Sequence, residues 1–181
     1  LTTTILAAKC PKLVSPAMNT NMFENRIVQD NLKKLESYGF EIIKPAEGYL
    51  ACGDTGAGKM PEPETLFKYI MRTIACEKDM AGKHVLITAG ATQEKIDPVR
   101  FITNHSTGKM GRAIAENCML RGAEVTLVNA SVSVEPPMFV DVVNVTSAAD
   151  MAEVVKARAP QQDIIIMTAA VADFRPAHPA V

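Results

Sequence analysis

The chain has 181 residues, a formal net charge of -1, 48% hydrophobic residues and 22% charged residues. A charge this close to zero excludes a phosphate-tracking surface, so nucleic acid is not an expected partner. The four cysteines, Cys10, Cys52, Cys76 and Cys118, are widely spaced, with no C-x-x-C pair, which argues against a zinc site or a disulfide framework and for reduced thiols in a cytoplasmic setting.

In chain order, 12–15 reads as a short strand leading into Pro16. Residues 25–38 carry apolar Ile27, Val28, Leu32 and Leu35 at helical spacing, with Gly39 as the stop. Residues 40–44 read as a strand, 49–63 as a glycine-bearing loop and 64–74 as a second amphipathic helix. The polar stretch 77–83 reads as a linker between 1–76 and 84–181. Beyond it come strand 84–89, helix 108–121 closed by Gly122, strand 124–129, helix 147–159 with Ser147 as N-cap, and strand 163–171. Apolar strands alternating with helices predict an α/β fold with a parallel sheet covered on both faces. The longest apolar runs, such as Ile164-Ile165-Ile166-Met167, are far short of the roughly 20 residues that span a bilayer, so no membrane is expected. Leu1-Thr2-Thr3-Thr4 has no basic leader, and Pro179-Ala180-Val181 closes the chain directly after a strand. Both ends read as cut from a longer protein.

Three segments of the second half could carry chemistry. Gly90 follows the first strand, where open parallel sheets bind ligands; it either admits a ligand to the backbone or makes an ordinary tight turn. The run Asn104-His105-Ser106-Thr107-Gly108-Lys109-Met110-Gly111 opens a helix with hydroxyls, glycines and a lysine, a composition suited to anions. The alternative is a capped helix with a solvated Lys109. The third strand ends in Ala169-Ala170-Val171-Ala172-Asp173-Phe174. Its small residues leave room for a ring or a sugar, and Asp173 is either a ribose or metal partner or a surface turn residue. Together the three describe a nucleotide crevice. No G-x-G-x-x-G is present, and the second strand ends Leu127-Val128-Asn129 without an acid, which weakens a dinucleotide oxidoreductase.

In the first half, Pro16-Ala17-Met18-Asn19 serves either recognition or turn geometry. Cys52, in a loop with Gly53, Gly56 and Gly58, is either an acid or nucleophile or an inert core thiol.

The order of these motifs resembles two enzyme families. Pro16-Ala17-Met18-Asn19, Ala51-Cys52-Gly53-Asp54 and the Gly56-Ala57-Gly58-Lys59-Met60 run resemble flavin-dependent phosphopantothenoylcysteine decarboxylases. Gly90-Ala91-Thr92-Gln93-Glu94, Asp97-Pro98-Val99-Arg100, the 103–111 run and the 169–174 run resemble phosphopantothenate–cysteine ligases. Decarboxylase followed by ligase is the order of the fused bacterial enzymes of coenzyme A biosynthesis.

The resemblance implies a flavodoxin-like end to the first domain and a Rossmann-like second domain. It implies that Asn19, with Met18 and Ala51, contacts the substrate 4'-phosphopantothenoylcysteine. Cys52 would protonate the enethiolate left by FMN-dependent decarboxylation. In the ligase half, CTP would activate 4'-phosphopantothenate as an acyl-cytidylate steadied by Asn104, and cysteine would displace the nucleotide. Gly90, Ser106, Gly108, Lys109, Ala170 and Asp173 would hold the CTP, with Mg²⁺ on the triphosphate and metal ligands unassigned. The family's decarboxylase halves form trimers and its ligase halves dimers.

The chain departs from the pattern with Phe23 after Met22, where the family has Trp, and Lys59 where the family has Arg; Lys keeps the charge and loses the bidentate fork. No histidine precedes Asn19, and the family's flavin motif and its later lysine-rich loop are missing, so the chain alone is expected to be inactive. A non-catalytic nucleotide-binding module is the competing expectation.

Overall fold

The computed structural model describes residues 2–49 and 55–178, so the expectations for Ala51 and Cys52 fall outside the described residues. The backbone divides into two compact units, Leu1–Ile74 and Ala75–Val181.

The first unit runs α1 (Thr2–Ala7), β1 (Lys12–Val14), α2 (Thr20–Glu24), α3 (Arg26–Ser37), β2 (Phe40–Ile42), β3 (Ala46–Tyr49), β4 (Thr55–Lys59) and α4 (Pro63–Ile74). Strands β1 and β2 pair in parallel, Leu13 opposite Glu41, with α3 on the crossover between them. Asn25 starts α3 by accepting the Ile27 N–H at 2.9 Å, and Gly39, at φ +83°, ends it in the left-handed conformation that suits glycine. Within the loop expected from 49 to 63, Thr55–Lys59 instead form β4, paired antiparallel with β3, Gly48 opposite Gly56. The strand Thr-Gly-Ala-Gly-Lys has no period-2 apolar pattern because glycine is needed there for close approach. A side chain on Gly56 would lie 2.7 Å from Thr20 Oγ1, and one on Gly58 would overlap the Met18 carbonyl.

The second unit runs β5 (His84–Ala89), β6 (Gln93–Lys95), β7 (Phe101–Thr103), α5 (Lys109–Leu120), β8 (Glu124–Asn129), β9 (Asp141–Asn144), α6 (Ala148–Arg158) and β10 (Ile164–Met167). A four-stranded parallel sheet has the order β10-β5-β8-β9. Alternate residues of β5 and β8 feed two cores. Val85, Ile87, Ala89, Val125 and Leu127 pack with Ala115, Cys118 and Met119 of α5. Leu86 and Val128 face Met151 of α6 on the other side. The 111, 115, 118, 119 spacing is the buried stripe of α5. Burial pushes the Cys118 thiol up, against a smaller pull from Arg121, so this cysteine packs rather than reacts.

The sheet is covered on both faces over β5 and β8, as expected, but not over β10. Helices α5 and α6 lie on the central strands, and at the edge Ile165 stays 42% and Met167 59% exposed. The segment 77–83 is held to the second unit. Asp79 accepts from Arg121 Nε at 2.9 Å, Met80 N donates to the Arg121 carbonyl at 3.1 Å, and the Met80 side chain packs on the first core.

A reciprocal capping box starts α6. Ser147 Oγ accepts the Asp150 N–H at 3.2 Å, and Asp150 Oδ2 accepts the Ser147 N–H at 2.9 Å. That backbone N–H, and then the Ser147 hydroxyl, hold the Asp150 carboxyl below the usual carboxylate range. A carboxyl depressed in the folded state contributes stability that is complete above its unfolded value near ~3.9 and is lost as pH falls through the folded value. Asp150→Ala is therefore expected to cost about 1 kcal/mol at neutral pH. Thermal melts of the two proteins should converge as pH drops below roughly 3.9; a gap independent of pH would contradict the ionic part of the cap.

Candidate nucleotide site at the carboxyl ends of the parallel strands

Backbone pairing continues past the ends of the strands and draws the expected segments together. Beyond β5, the Gly90 carbonyl accepts the Ala170 N–H at 2.7 Å, and Thr92 N donates to the Ala170 carbonyl at 3.3 Å. Ala91 bridges both Ala170 and Ser131, the latter in the turn after β8. The antiparallel pair β6–β7 sets Gln93 opposite Thr103, and Thr103 Oγ1 donates to the Thr92 carbonyl at 2.7 Å. Asn104 thus leaves β7 beside the end of β10, and its Nδ2 donates to the Val171 carbonyl at 3.0 Å. Gly90, Asn104 and the 168–173 segment therefore share one crest of the sheet, as the sequence predicts.

Helix α5 points its first turn into the same crest. Its N-cap is Gly108, at φ +73°, and no side chain caps it. Gly108 has no side chain to accept a first-turn N–H, as Ser147 does at α6, and a helix start open in this way is the usual setting for an anion. Ser106 Oγ accepts the Gly108 N–H at 3.4 Å, and Lys109, the first helical residue, is exposed. Gly111 brings the turn down onto the strands; a side chain there would lie 2.5 Å from Ala89 Cβ and 2.7 Å from Thr168 Oγ1. Asp173 is exposed at the edge of the crest.

Gly90 also has a part in packing. The volume that its missing side chain leaves is filled by protein. A Cβ at Gly90 would lie 2.5 Å from the Ser131 carbonyl and 2.7 Å from Val132 Cγ1. The glycine lets the turn after β8 close over β5.

The Asp97-Pro98-Val99-Arg100 run forms the tip of the β6–β7 hairpin. Asp97 Oδ1 accepts the Val99 and Arg100 N–H groups at 2.8 and 2.7 Å, and Oδ2 accepts from Arg100 Nε at 2.7 Å. The Arg100 N–H, then its side chain, hold the Asp97 carboxyl below the usual range. Glu94 also turns out to support the site. It is 4% exposed and accepts the Ala148 N–H at 2.8 Å, anchoring the hairpin to the start of α6. A cavity of about 880 Å³ opens beside the crest, lined by Gln93, Lys95, Ser147, Asp150 and Arg175 among others. Sequence reasoning did not find it because its residues come from three separated stretches. Among the described residues no group of three or more His, Cys, Asp or Glu side chains is placed to hold a metal ion, and no helix is long and apolar enough to cross a membrane.

In the first unit, Met18 N donates to the Gly58 carbonyl at 3.0 Å. Asn19 Oδ1 accepts the Asn21 N–H at 2.9 Å, capping α2. The Met18–Asn19 turn therefore sits on β4. The hydroxyls of Ser15 and Thr20, on either side of this turn, are buried without a partner.

Residues 80–181 match the family model described as DNA/pantothenate metabolism flavoprotein C-terminal domain, and residues 1–75 match the model described as Flavoprotein. The chain is 49% identical over 179 residues to the Coenzyme A biosynthesis bifunctional protein CoaBC of Bacillus subtilis, covering 97% of this chain and 44% of that protein. It is 50% identical over 177 residues to the protein of that name from Vibrio vulnificus, covering 98% and 44%. It thus spans less than half the length of either relative. Among solved structures it is similar to the crystal structure of the C-terminal domain of Coenzyme A biosynthesis bifunctional protein CoaBC, at 55% identity and TM-score 0.52, covering 54% of this chain and 50% of that one.

Proposed function

From a chain that belongs to the DNA/pantothenate metabolism flavoprotein family, we propose that the second unit is the nucleotide-binding part of a CTP-dependent phosphopantothenate–cysteine ligase. The first unit is part of an FMN-dependent phosphopantothenoylcysteine decarboxylase. The observation that supports the ligase reading most is the contact of Asn104 Nδ2 with the Val171 carbonyl, because it joins the hairpin and the small-residue strand end beside an α5 start that no side chain caps.

In this reading the start of α5, with Ser106, Gly108 and Lys109, takes the triphosphate. The small residues at Ala170 admit the nucleoside, and Asp173 accepts from ribose hydroxyls. The 4'-phosphopantothenate carboxylate attacks the α-phosphate and pyrophosphate leaves. The cysteine amine then attacks the acyl-cytidylate carbonyl, forming the amide and releasing CMP. Asn104 places a preorganised donor where negative charge develops. Mg²⁺ would come with the triphosphate and neutralise its charge, with no protein ligand assigned.

In the first unit, the two buried unpartnered hydroxyls of Ser15 and Thr20 lie beyond the carboxyl end of β1, where a parallel sheet binds ligands, and they fit a polar group such as FMN. Bound FMN would take two electrons from the substrate's cysteinyl thiol and return them after CO₂ leaves, so that the decarboxylation is redox-neutral overall. Asn19 orients the substrate carboxylate, Met18 and Ala51 line it, and Cys52 returns a proton after CO₂ leaves. A cytoplasmic location and a homo-oligomer belong to the same proposal.

CTP with Mg²⁺ is expected to raise the melting temperature of the chain. At a ligand concentration 100-fold above Kd the gain is about 2.7 kcal/mol, a shift of several degrees for a unit of this size. NAD at the same concentration should give none. An equal shift from NAD would overturn the ligase reading in favour of a general nucleotide-binding module.

A further inference from the structure

We propose that Thr92 is a positioning residue that aims the Asn104 carboxamide through a single peptide group. The inference rests on the role proposed above for Asn104. Thr92 is 0% exposed, and its three polar groups tie it to two segments of the site, the one after β10 and the end of β7. Its N–H donates to the Ala170 carbonyl at 3.3 Å, and its carbonyl accepts from Thr103 Oγ1 at 2.7 Å. Its own Oγ1 accepts the Ala172 N–H at 2.9 Å.

The last of these contacts matters most. The Ala172 N–H and the Val171 C=O are opposite ends of one planar peptide group. The carbonyl end accepts Asn104 Nδ2 at 3.0 Å. Thr92 therefore holds one end of a rigid plate whose other end holds Asn104. The regular strand stops at Met167, and beyond it the Thr168 and Ala170 N–H groups still donate to the Thr88 and Gly90 carbonyls. The next N–H in that alternation, of Ala172, goes to the Thr92 hydroxyl instead, so this hydroxyl extends control to the peptide that Asn104 reads. Hydrogen bonds in such a chain also polarise each other, so the bond at the N–H strengthens the carbonyl as an acceptor.

Valine has the shape of threonine without the acceptor. In Thr92→Val the Ala172 N–H loses its partner, the 171–172 peptide is free to turn, and the Val171 carbonyl leaves Asn104. Serine restores the acceptor. In the chain completed to the length of its relatives, Thr92→Val is expected to lower kcat of the ligase reaction about tenfold or more, as small misplacements of reacting groups do. KM for CTP should stay within about threefold, and Thr92→Ser should stay close to the parent, since it keeps the hydrogen bond.

An NMR measurement on the 181-residue chain reads the same link without catalysis. The Asn104 side-chain amide resonance should move in Thr92→Val toward the position of solvent-exposed asparagines and return in Thr92→Ser. An unmoved Asn104 resonance in a folded Thr92→Val protein would overturn the proposal, as would parental kcat in Thr92→Val beside an inactive Asn104→Ala. If Asn104→Ala itself keeps parental activity, the ligase role of Asn104 fails, and the resonance alone decides the positional link.

Discussion

Asn104→Ala is expected to lower kcat of the CTP-dependent ligation by about 10²–10³-fold, the cost of one preorganised donor lost at a developing negative charge. KM for CTP should change little. The phosphates are assigned to the start of α5, where Gly108 caps the helix without a side-chain acceptor, and Asn104 is outside that turn. Stability should hardly move, because the side chain is exposed and gives up one hydrogen bond, to the Val171 carbonyl; a typical one contributes about 1 kcal/mol. Asn104→Asp should fare no better, since a carboxylate oxygen would face that carbonyl with no proton to share. Pyrophosphate release under saturating CTP and 4'-phosphopantothenate, in the chain completed to the length of its relatives, measures the effect. A variant with parental kcat and a raised KM for CTP would make Asn104 a nucleotide contact and remove it from the chemistry.

Gly90→Ala should be the most damaging methyl group in the second unit. At φ +84° an alanine is strained by roughly 1–2 kcal/mol, and its Cβ would be 2.5 Å from the Ser131 carbonyl, a backbone atom with nowhere to yield. Overpacking adds about 1–3 kcal/mol. Gly82 has nearly the same conformation, φ +74°, with nothing within 4 Å of the added carbon, so Gly82→Ala shows the conformational cost alone. Thermal melts should place Gly90→Ala about 10 °C or more below the parent and Gly82→Ala only some degrees below it. Equal losses would mean that the turn after β8 adjusts freely and that Gly90 is not a packing position.

The central elements were legible because burial leaves a clear trace in sequence. Strands β5 and β8 are buried on both faces and read as continuous apolar runs, and α5 shows its stripe at 111, 115, 118 and 119. The crest was legible as three motifs because each follows a strand or precedes a helix that could itself be predicted. The β6–β7 hairpin was not. Its strands are three residues each, and β7 is exposed throughout, so no period had room to show. Strand β9, Asp141–Asn144, is too short for the same reason. The β3–β4 hairpin was hidden by its glycines, which mark close approach to Thr20 and Met18 rather than a loop. Thr92 has no role that its motif reveals, because a hydroxyl that organises two distant backbones is visible only once the chain is folded. Its one sequence signal was a polar β-branched residue just past a buried strand. The cavity beside Gln93, Asp150 and Arg175 had no signal of that kind.

The proposed ligase site requires loops from separate strands to build one pocket for a cytidine triphosphate. Titrating the ¹⁵N-labelled chain with CTP and Mg²⁺ tests it most directly. Amide resonances of Gly90, Asn104, Gly108, Ala170 and Asp173 should shift together along one saturation curve. Shifts confined to Gln93, Lys95, Asp150 and Arg175, or separate curves for the three segments, would contradict it.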